Sequence, residues 1–254
     1  MSQVENYILV LGSKPQSKLP AVKVNKIYSA NGAAERAVEY KKKYPNIEHT
    51  ALIGSKEFTE NENVKSRVIN SCPDRLYCRS GKIVIPDELK NCQLEFLDDK
   101  EQFKFQSKFY KFKGLDILLG EIFFYERNLF KLIKHTYACM TYRGFWGAAT
   151  GFYSFLLAMH ENPEAKILVS GIGLVEGGHF YTSKDSYGYV SERSRKLINS
   201  GKMSIYNKFR NTSRCRVERY LINRMKKTYK NRIISLDDEM VKLGSVKKWE
   251  GQVF

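Results

Sequence analysis

Tyr7-Ile-Leu-Val-Leu-Gly12 opens the series that decides the fold class. The run is short, apolar and rich in branched residues, and it breaks into Ser13-Lys14-Pro15, the pattern of a buried strand emerging into a polar turn. A second strand, Lys26-Ile-Tyr-Ser29, leads through Ala30-Asn-Gly-Ala-Ala-Glu35 into good helix formers that continue to about Tyr44, where Pro45 stops them. Thr50-Ala-Leu-Ile-Gly54 restarts the sheet. Strand, helix and strand in alternation predict an α/β, Rossmann-like architecture, with a largely parallel sheet flanked by helices.

The same alternation returns later in the chain. Phe152, Phe155, Leu156 and Met159 fall on one face of a helix spanning Ala148–Met159. Lys166-Ile-Leu-Val169 reads as a central strand ending at Ser170-Gly171, and a Gly-rich loop then runs from Ile172 to Tyr181. Val217, Leu221 and Met225 recur every four residues and predict a helix from about Ser213 to Tyr229, with Arg216, Arg219, Lys226 and Lys227 on its other face. Arg232–Leu236 closes the series as a strand. Gly120–Lys134 reads as an aromatic helix. Between the two series, residues 57–115 mix short β-like pieces (Arg67–Ser71, Lys82–Ile85, Gln93–Leu97) with charged, turn-rich sequence. They are read as an irregular insertion or lid within a single domain, 1–254.

At 254 residues, 43% hydrophobic and 28% charged, the chain has material for a packed core and is not a disordered segment. No stretch approaches the roughly 18 apolar residues of a membrane span. The start, Met1-Ser-Gln-Val-Glu-Asn6, lacks a basic segment followed by an apolar one, which predicts a cytoplasmic chain rather than a secreted one. The 5 cysteines show no zinc spacing and are expected to be reduced thiols. Lys and Arg number 43 against 27 acids, a formal charge of +16. Eleven of the basic residues lie between Lys202 and Arg232 with one acid, Glu218. That segment is either a solvated basic face or a surface for a polyanion, whether nucleic acid, an anionic membrane or a phosphorylated ligand.

Ligands of open α/β sheets bind beyond the carboxyl ends of the strands. The polar turns expected there are Gly12-Ser13, Asn31-Gly32 and Ser170 through Tyr181, with Thr150-Gly151, near the start of the 148–159 helix, as a fourth such place. Small residues let a phosphate approach backbone amides. Neither GxGxxG nor GxxxxGK[ST] occurs, which disfavours dinucleotide and P-loop chemistry, and without GxSxG a Ser-His-Asp triad has no support. No DxD pair occurs to hold a metal-bound diphosphate, so a metal-independent mechanism is expected, with hydrogen-bond donors neutralising a single leaving phosphate. His179, on the Gly-rich loop, is either a general base or a turn histidine. Tyr181 is either a donor to a phosphate or a packing residue.

The series Ile8–Pro15, Tyr28–Asn31, Thr150–Tyr153 and Ile167–Ile172, with Tyr181 beyond, resembles the bacterial sialyltransferases of glycosyltransferase family 42 and their relatives. The resemblance covers roughly residues 5–55 and 145–236 and rests on spacing more than identity. It implies a Rossmann-like domain with a lid, acting on CMP-activated sialic acid without metal or other cofactor. The family's first turn, Gly-Asn-Gly-Pro-Ser, is matched by Gly12-Ser-Lys-Pro-Gln16 at its Gly and Pro only. Asn31 matches the family's nucleotide-site Asn, Thr150-Gly151 its small pair before a helix, and Ser170-Gly171-Ile172 its Ser-Gly-Ile. Of the two tyrosines that stabilise the leaving phosphate, one falls on Tyr181 and Val175 stands at the other. The family's general-base His has no counterpart in Thr212–Glu218. Either His179 has taken that role, or the acceptor is activated differently, or activity has been lost.

The resemblance thus implies transfer of sialic acid or a related ulosonic acid such as Kdo from a CMP-sugar donor to a glycan or glycolipid acceptor. Gly12, Ser13 and Asn31 would contact the nucleotide. Thr150, Gly151, Ser170, Gly171 and Ile172 would line the donor pocket, and Arg214 would bind the donor's carboxylate or phosphate. His179 and Tyr181 would be catalytic. The basic segment would rest on the anionic inner face of a membrane. A basic nucleic-acid-binding protein and a catalytically inactive nucleotide-binding relative are the alternatives.

Overall fold

The structure, a computed structural model, describes residues 6–14, 17–125, 147–174 and 217–254, with a few single positions between 130 and 141. The first series forms as its pattern dictates: β1 (Tyr7–Leu11), β2 (Lys26–Ala30), α1 (Ala34–Lys43) and β3 (Glu48–Gly54). A single 3-10 turn at Asn31–Ala33 joins β2 to α1. Two short helices, α2 (Ser55–Glu60) and α3 (Glu62–Asn70), lead to β4 (Arg75–Arg79), β5 (Gln93–Leu97) and α4 (Asp99–Ser107). Then follow α5 (Gly114–Tyr125), α6 (Thr150–Glu161), β6 (Lys166–Ser170) and α7, residues 217–224. The chain ends with α8 (Lys227–Lys230), β7 (Ile233–Ser235), α9 (Asp238–Gly244) and β8 (Lys247–Lys248).

Eight strands form one sheet in the order β5-β4-β3-β2-β1-β6-β7-β8, every neighbouring pair parallel. The expected α/β class is therefore correct. Within residues 57–115, read above as an insertion or lid, β4 and β5 extend the sheet beyond β3. Of the β-like pieces there, only Gln93–Leu97 is a strand. Arg67–Ser71 ends a helix and Lys82–Ile85 is a loop.

Alternation along the strands sorts the core into two layers. Ile8, Val10, Tyr28, Leu52, Ile167 and Val169 face α6, while Leu9, Leu11, Ile27 and Leu168 face Ala37 and Tyr40 of α1. All eight residues from Phe152 to Met159 are buried, where the sequence had predicted a single buried face. The reason is a second layer outside α6, in which Phe109, Tyr110, Ile117, Val217 and Leu221 join the same core. The helix predicted to reach Tyr229 stops instead at Arg224, because Met225 pairs with Tyr110 as an antiparallel bridge. Arg79, at the end of β4, is held inside this layer. It donates to Gln102 Oε1 at 2.7 Å and to the Ala148 carbonyl at 3.0 Å, with its guanidinium 4.2 Å from the Tyr153 ring centroid.

Candidate functional site

Strands β2 to β5 lie on one side of β1 and β6 to β8 on the other, so the chain reverses direction between β1 and β6. In such sheets the crevice beyond that reversal is the ligand site. The register sets the carboxyl ends in a row: Leu11 lies beside Ser29 and Ser170, Ala30 beside Leu52, and Gly54 beside Arg79. The helix α6 opens at the same edge. A Cβ on Gly151 would lie 4.0 Å from that of Ala30, and one on Gly54 would lie 3.8 Å from Thr150 Oγ1. Gly12, Ser13, Asn31, Thr150, Gly151, Ser170, Gly171 and Ile172 are thereby brought to one edge. His179, Tyr181 and Arg214 lie outside the described residues.

The edge has two parts. Between β1 and β6 the backbones close on each other. The Gly12 amide donates to the Ser170 carbonyl at 2.7 Å and the Lys14 amide to the Gly171 carbonyl at 2.9 Å. A Cβ on Gly12 would stand 2.2 Å from the Gly171 oxygen, so only glycine fits there. The turn after β6 is held from the far side: the Gly171 amide donates to Asp237 Oδ2 and the Leu174 amide to Glu239 Oε1, each at 2.6 Å. Glu239 also pairs with Lys14. Burial raises the Asp237 pKa despite the Gly171 hydrogen bond and nearby lysines. The amides of residues 12, 14, 171 and 174 are therefore committed within the protein. The Ser170 hydroxyl is buried and makes no hydrogen bond.

The second part, between β2, β3 and α6, differs. Asn31 is buried with a left-handed backbone (φ 50°), a conformation that Asn tolerates better than most residues. Its side-chain oxygen accepts from the Gly54 amide at 3.1 Å, and its Nδ2 donates to Glu57 Oε2 at 2.5 Å. Among the described residues no cation pairs with Glu57. Loss of water around its carboxyl pushes the Glu57 pKa up to about 7. A carboxylate that holds and releases a proton near neutrality suits general acid–base work. Glu57 escaped the sequence reading because Ser55-Lys-Glu-Phe-Thr-Glu60 has the look of a solvated helix.

Three acceptors from the outer layer brace the approach to α6. The Gly147 amide donates to Glu121 at 2.8 Å, the Ala148 amide to Gln106 at 2.8 Å, and the Ala149 amide to Glu218 at 2.9 Å. Each acceptor comes from a different helix, α5, α4 and α7, so the position of Thr150 is fixed by the whole layer. The two carboxylates also occupy the favourable end of the helix dipole.

At the opposite edge, Glu161 ends α6 among donors. Tyr77 donates to it at 2.7 Å, Arg75 Nη1 pairs with it at 3.1 Å, and Tyr28 donates through a short hydrogen bond. Burial works against the Glu161 charge, yet these donors hold its pKa below the ordinary value. Nearby His49 is fully buried, its Nε2 2.8 Å from Ser29 Oγ. Burial and the charge of Lys41 press its pKa down to about 3.

No protein-family model, curated protein or solved structure matches this chain. Its class accordingly rests on the parallel sheet and on the residues gathered at the sheet's carboxyl edge. Among the described residues no helix is long and apolar enough to cross a membrane.

Proposed function

We propose that the protein is a metal-independent glycosyltransferase that moves sialic acid or a related ulosonic acid such as Kdo from a CMP-activated donor to a glycan or glycolipid. The observation that carries the reading is the Asn31–Glu57 pair beside Thr150, at the edge where parallel sheets take nucleotides. In this reading Gly12, Ser13 and Asn31 contact the nucleotide, and Thr150, Gly151, Ser170, Gly171 and Ile172 line the donor pocket. Arg214 binds the donor's carboxylate, and Tyr181 stabilises the departing phosphate. The bond from the sugar's anomeric carbon to the CMP phosphate oxygen breaks, CMP leaves with the bonding electrons, and the acceptor oxygen bonds to that carbon. The acceptor's proton passes to Glu57, which takes the role first considered for His179.

Calorimetric titration with CMP, UMP, GMP and AMP is the first test, and selective binding of CMP is expected. Turnover of CMP-sialic acid or CMP-Kdo then separates the bases. Glu57→Gln should keep CMP binding and lose about 10²–10⁴-fold in kcat. The same loss in His179→Ala with Glu57→Gln unaffected would return the role to His179. No binding of any mononucleotide would overturn the proposal.

A further inference from the structure

Two segments far apart in sequence meet at the amino ends of the strands. The antiparallel bridge between Tyr110 and Met225 joins them, with the Lys111 amide donating to the Arg224 carbonyl at 3.4 Å and the Lys226 amide to the Phe109 carbonyl at 2.9 Å. The helix α8 leads directly into β7, which fixes this surface on the side of the sheet opposite Asn31 and Glu57. The bridge gathers Lys108, Lys111 and Lys113 with Lys226, Lys227 and Lys230. None of the six pairs with a carboxylate among the described residues. Lys226 Nζ and Lys230 Nζ donate instead to the Lys108 carbonyl and to Asn223 Oδ1. The acid built into the surface, Asp116, is fully buried and taken by Arg224 at 2.9 Å. Lys111 lies close enough to Lys230 to add to the burial that lowers its pKa, a sign of like charges held together.

Apolar side chains stand among these lysines. Phe112, in the turn between α4 and α5, is 56% exposed, and Leu115, in the first turn of α5, is 52% exposed. The Leu115 amide donates to the Phe112 carbonyl at 3.0 Å, so the two exposed apolar side chains share one turn inside a field of positive charge. The guanidinium of Arg224 already lies 5.1 Å from the Phe112 ring centroid, which leaves less of that ring for a stacked base. Leu115 offers no stacking face, whereas acyl chains accept both residues. We infer that this surface, the 108–115 tip with residues 224–230, docks the protein on an anionic lipid bilayer. Lysines attract the headgroups, and Phe112 and Leu115 enter the boundary beneath them. The inference goes beyond the proposed transferase activity and stands without it.

Sedimentation with vesicles of phosphatidylcholine, alone and with a third of it replaced by phosphatidylglycerol, tests the inference on the full chain. Binding is expected only to the anionic vesicles and should weaken as salt rises. Lys111→Glu/Lys227→Glu/Lys230→Glu should reduce it by about tenfold or more. Phe112→Ser/Leu115→Ser should reduce it by less while leaving the far-ultraviolet circular dichroism unchanged. Phe112→Trp should show a blue shift of fluorescence on binding. No binding to anionic vesicles, or binding that both sets of changes leave intact, would overturn the inference. Tighter binding to single-stranded RNA than to vesicles, lost in the lysine variant and indifferent to Phe112→Ser/Leu115→Ser, would replace the bilayer with nucleic acid.

Discussion

The helix α6 ends near a glutamate at both edges of the sheet, and the two glutamates are opposites. Glu161, at the amino edge, is surrounded by Tyr28, Tyr77 and Arg75 and held in its charged form. Glu57, at the carboxyl edge, has the Asn31 amide as its donor and is pushed toward its neutral form. The side chain is the same and the number of donors differs. Where donors saturate a carboxylate, it serves as an internal anchor. Where they fall short, a substrate proton or hydroxyl can complete the set. One edge is tied off by internal donors, and at the other a carboxylate is left short of them.

The strongest way to break the comparison is at Glu161. Glu161→Ala leaves two phenols without their acceptor and Arg75 with Glu95 as its remaining carboxylate, and should cost about 3–4 kcal/mol in urea unfolding at pH 7. Turnover per folded molecule should change little.

Titration sharpens the contrast. His49 has a folded pKa near 3, below its ordinary 6.5. Its contribution is therefore present above pH 6.5 and lost as pH falls toward 3, because only the unfolded chain takes the proton in that window. By pH 4 the expected loss is about 3 kcal/mol, and Glu161 adds to it below pH 4.5. His49→Gln should flatten the upper part of this decline when unfolding is measured at pH 7 and pH 5.

Gly12→Ala is next in size. Its Cβ meets the Gly171 carbonyl, which is backbone and not free to rotate away. A loss of about 2–3 kcal/mol is expected, with weakened CMP binding in the same titration. Native stability and affinity in this variant would show that the two strand ends separate more easily than the hydrogen bonds between them imply.

The smallest effect has the opposite sign. The Glu57 pKa is raised from 4.5 to about 7, so its contribution is present below pH 4.5 and lost as pH rises through 7. Glu57→Gln removes that penalty and should stabilise the fold by about 1–2 kcal/mol at pH 8, with no gain at pH 4. A variant that is both more stable and inactive would mark Glu57 as a residue kept for chemistry. Equal thermal midpoints at both pH values would count against it.

Much of the architecture was legible because the inner strands are short, mostly apolar runs, as a sheet covered on both faces requires. Tyr7–Leu11, Lys26–Ala30 and Lys166–Ser170 needed little else. The strand β4 was missed because Arg75-Leu-Tyr-Cys-Arg79 begins and ends on arginine. Both arginines are tied by partners distant in sequence, Glu161 for one and Gln102 with Ala148 for the other. The site was half legible for a similar reason. Small turn residues such as Gly12 and Asn31 announce a strand end, and the sheet then carries them to a common edge. Glu57 announces nothing, since its raised proton affinity arises from a burial that only the fold creates. The exposed pair Phe112 and Leu115 was equally silent, because the lysines that give it meaning come from two segments far apart in the chain.

The central position of β1 has a consequence for synthesis. Its partner on one side, β2, follows at once, but its partner on the other, β6, begins only at Lys166. At cellular elongation rates that delay is on the order of ten seconds. Throughout it, Ile8-Leu-Val-Leu11, a strand buried on both faces in the finished protein, lacks the neighbour that covers one of its edges. Nascent chains of this protein should therefore depend on a holding chaperone until β6 emerges, and slowing translation between residues 60 and 165 should lower the soluble yield more than slowing it after residue 171.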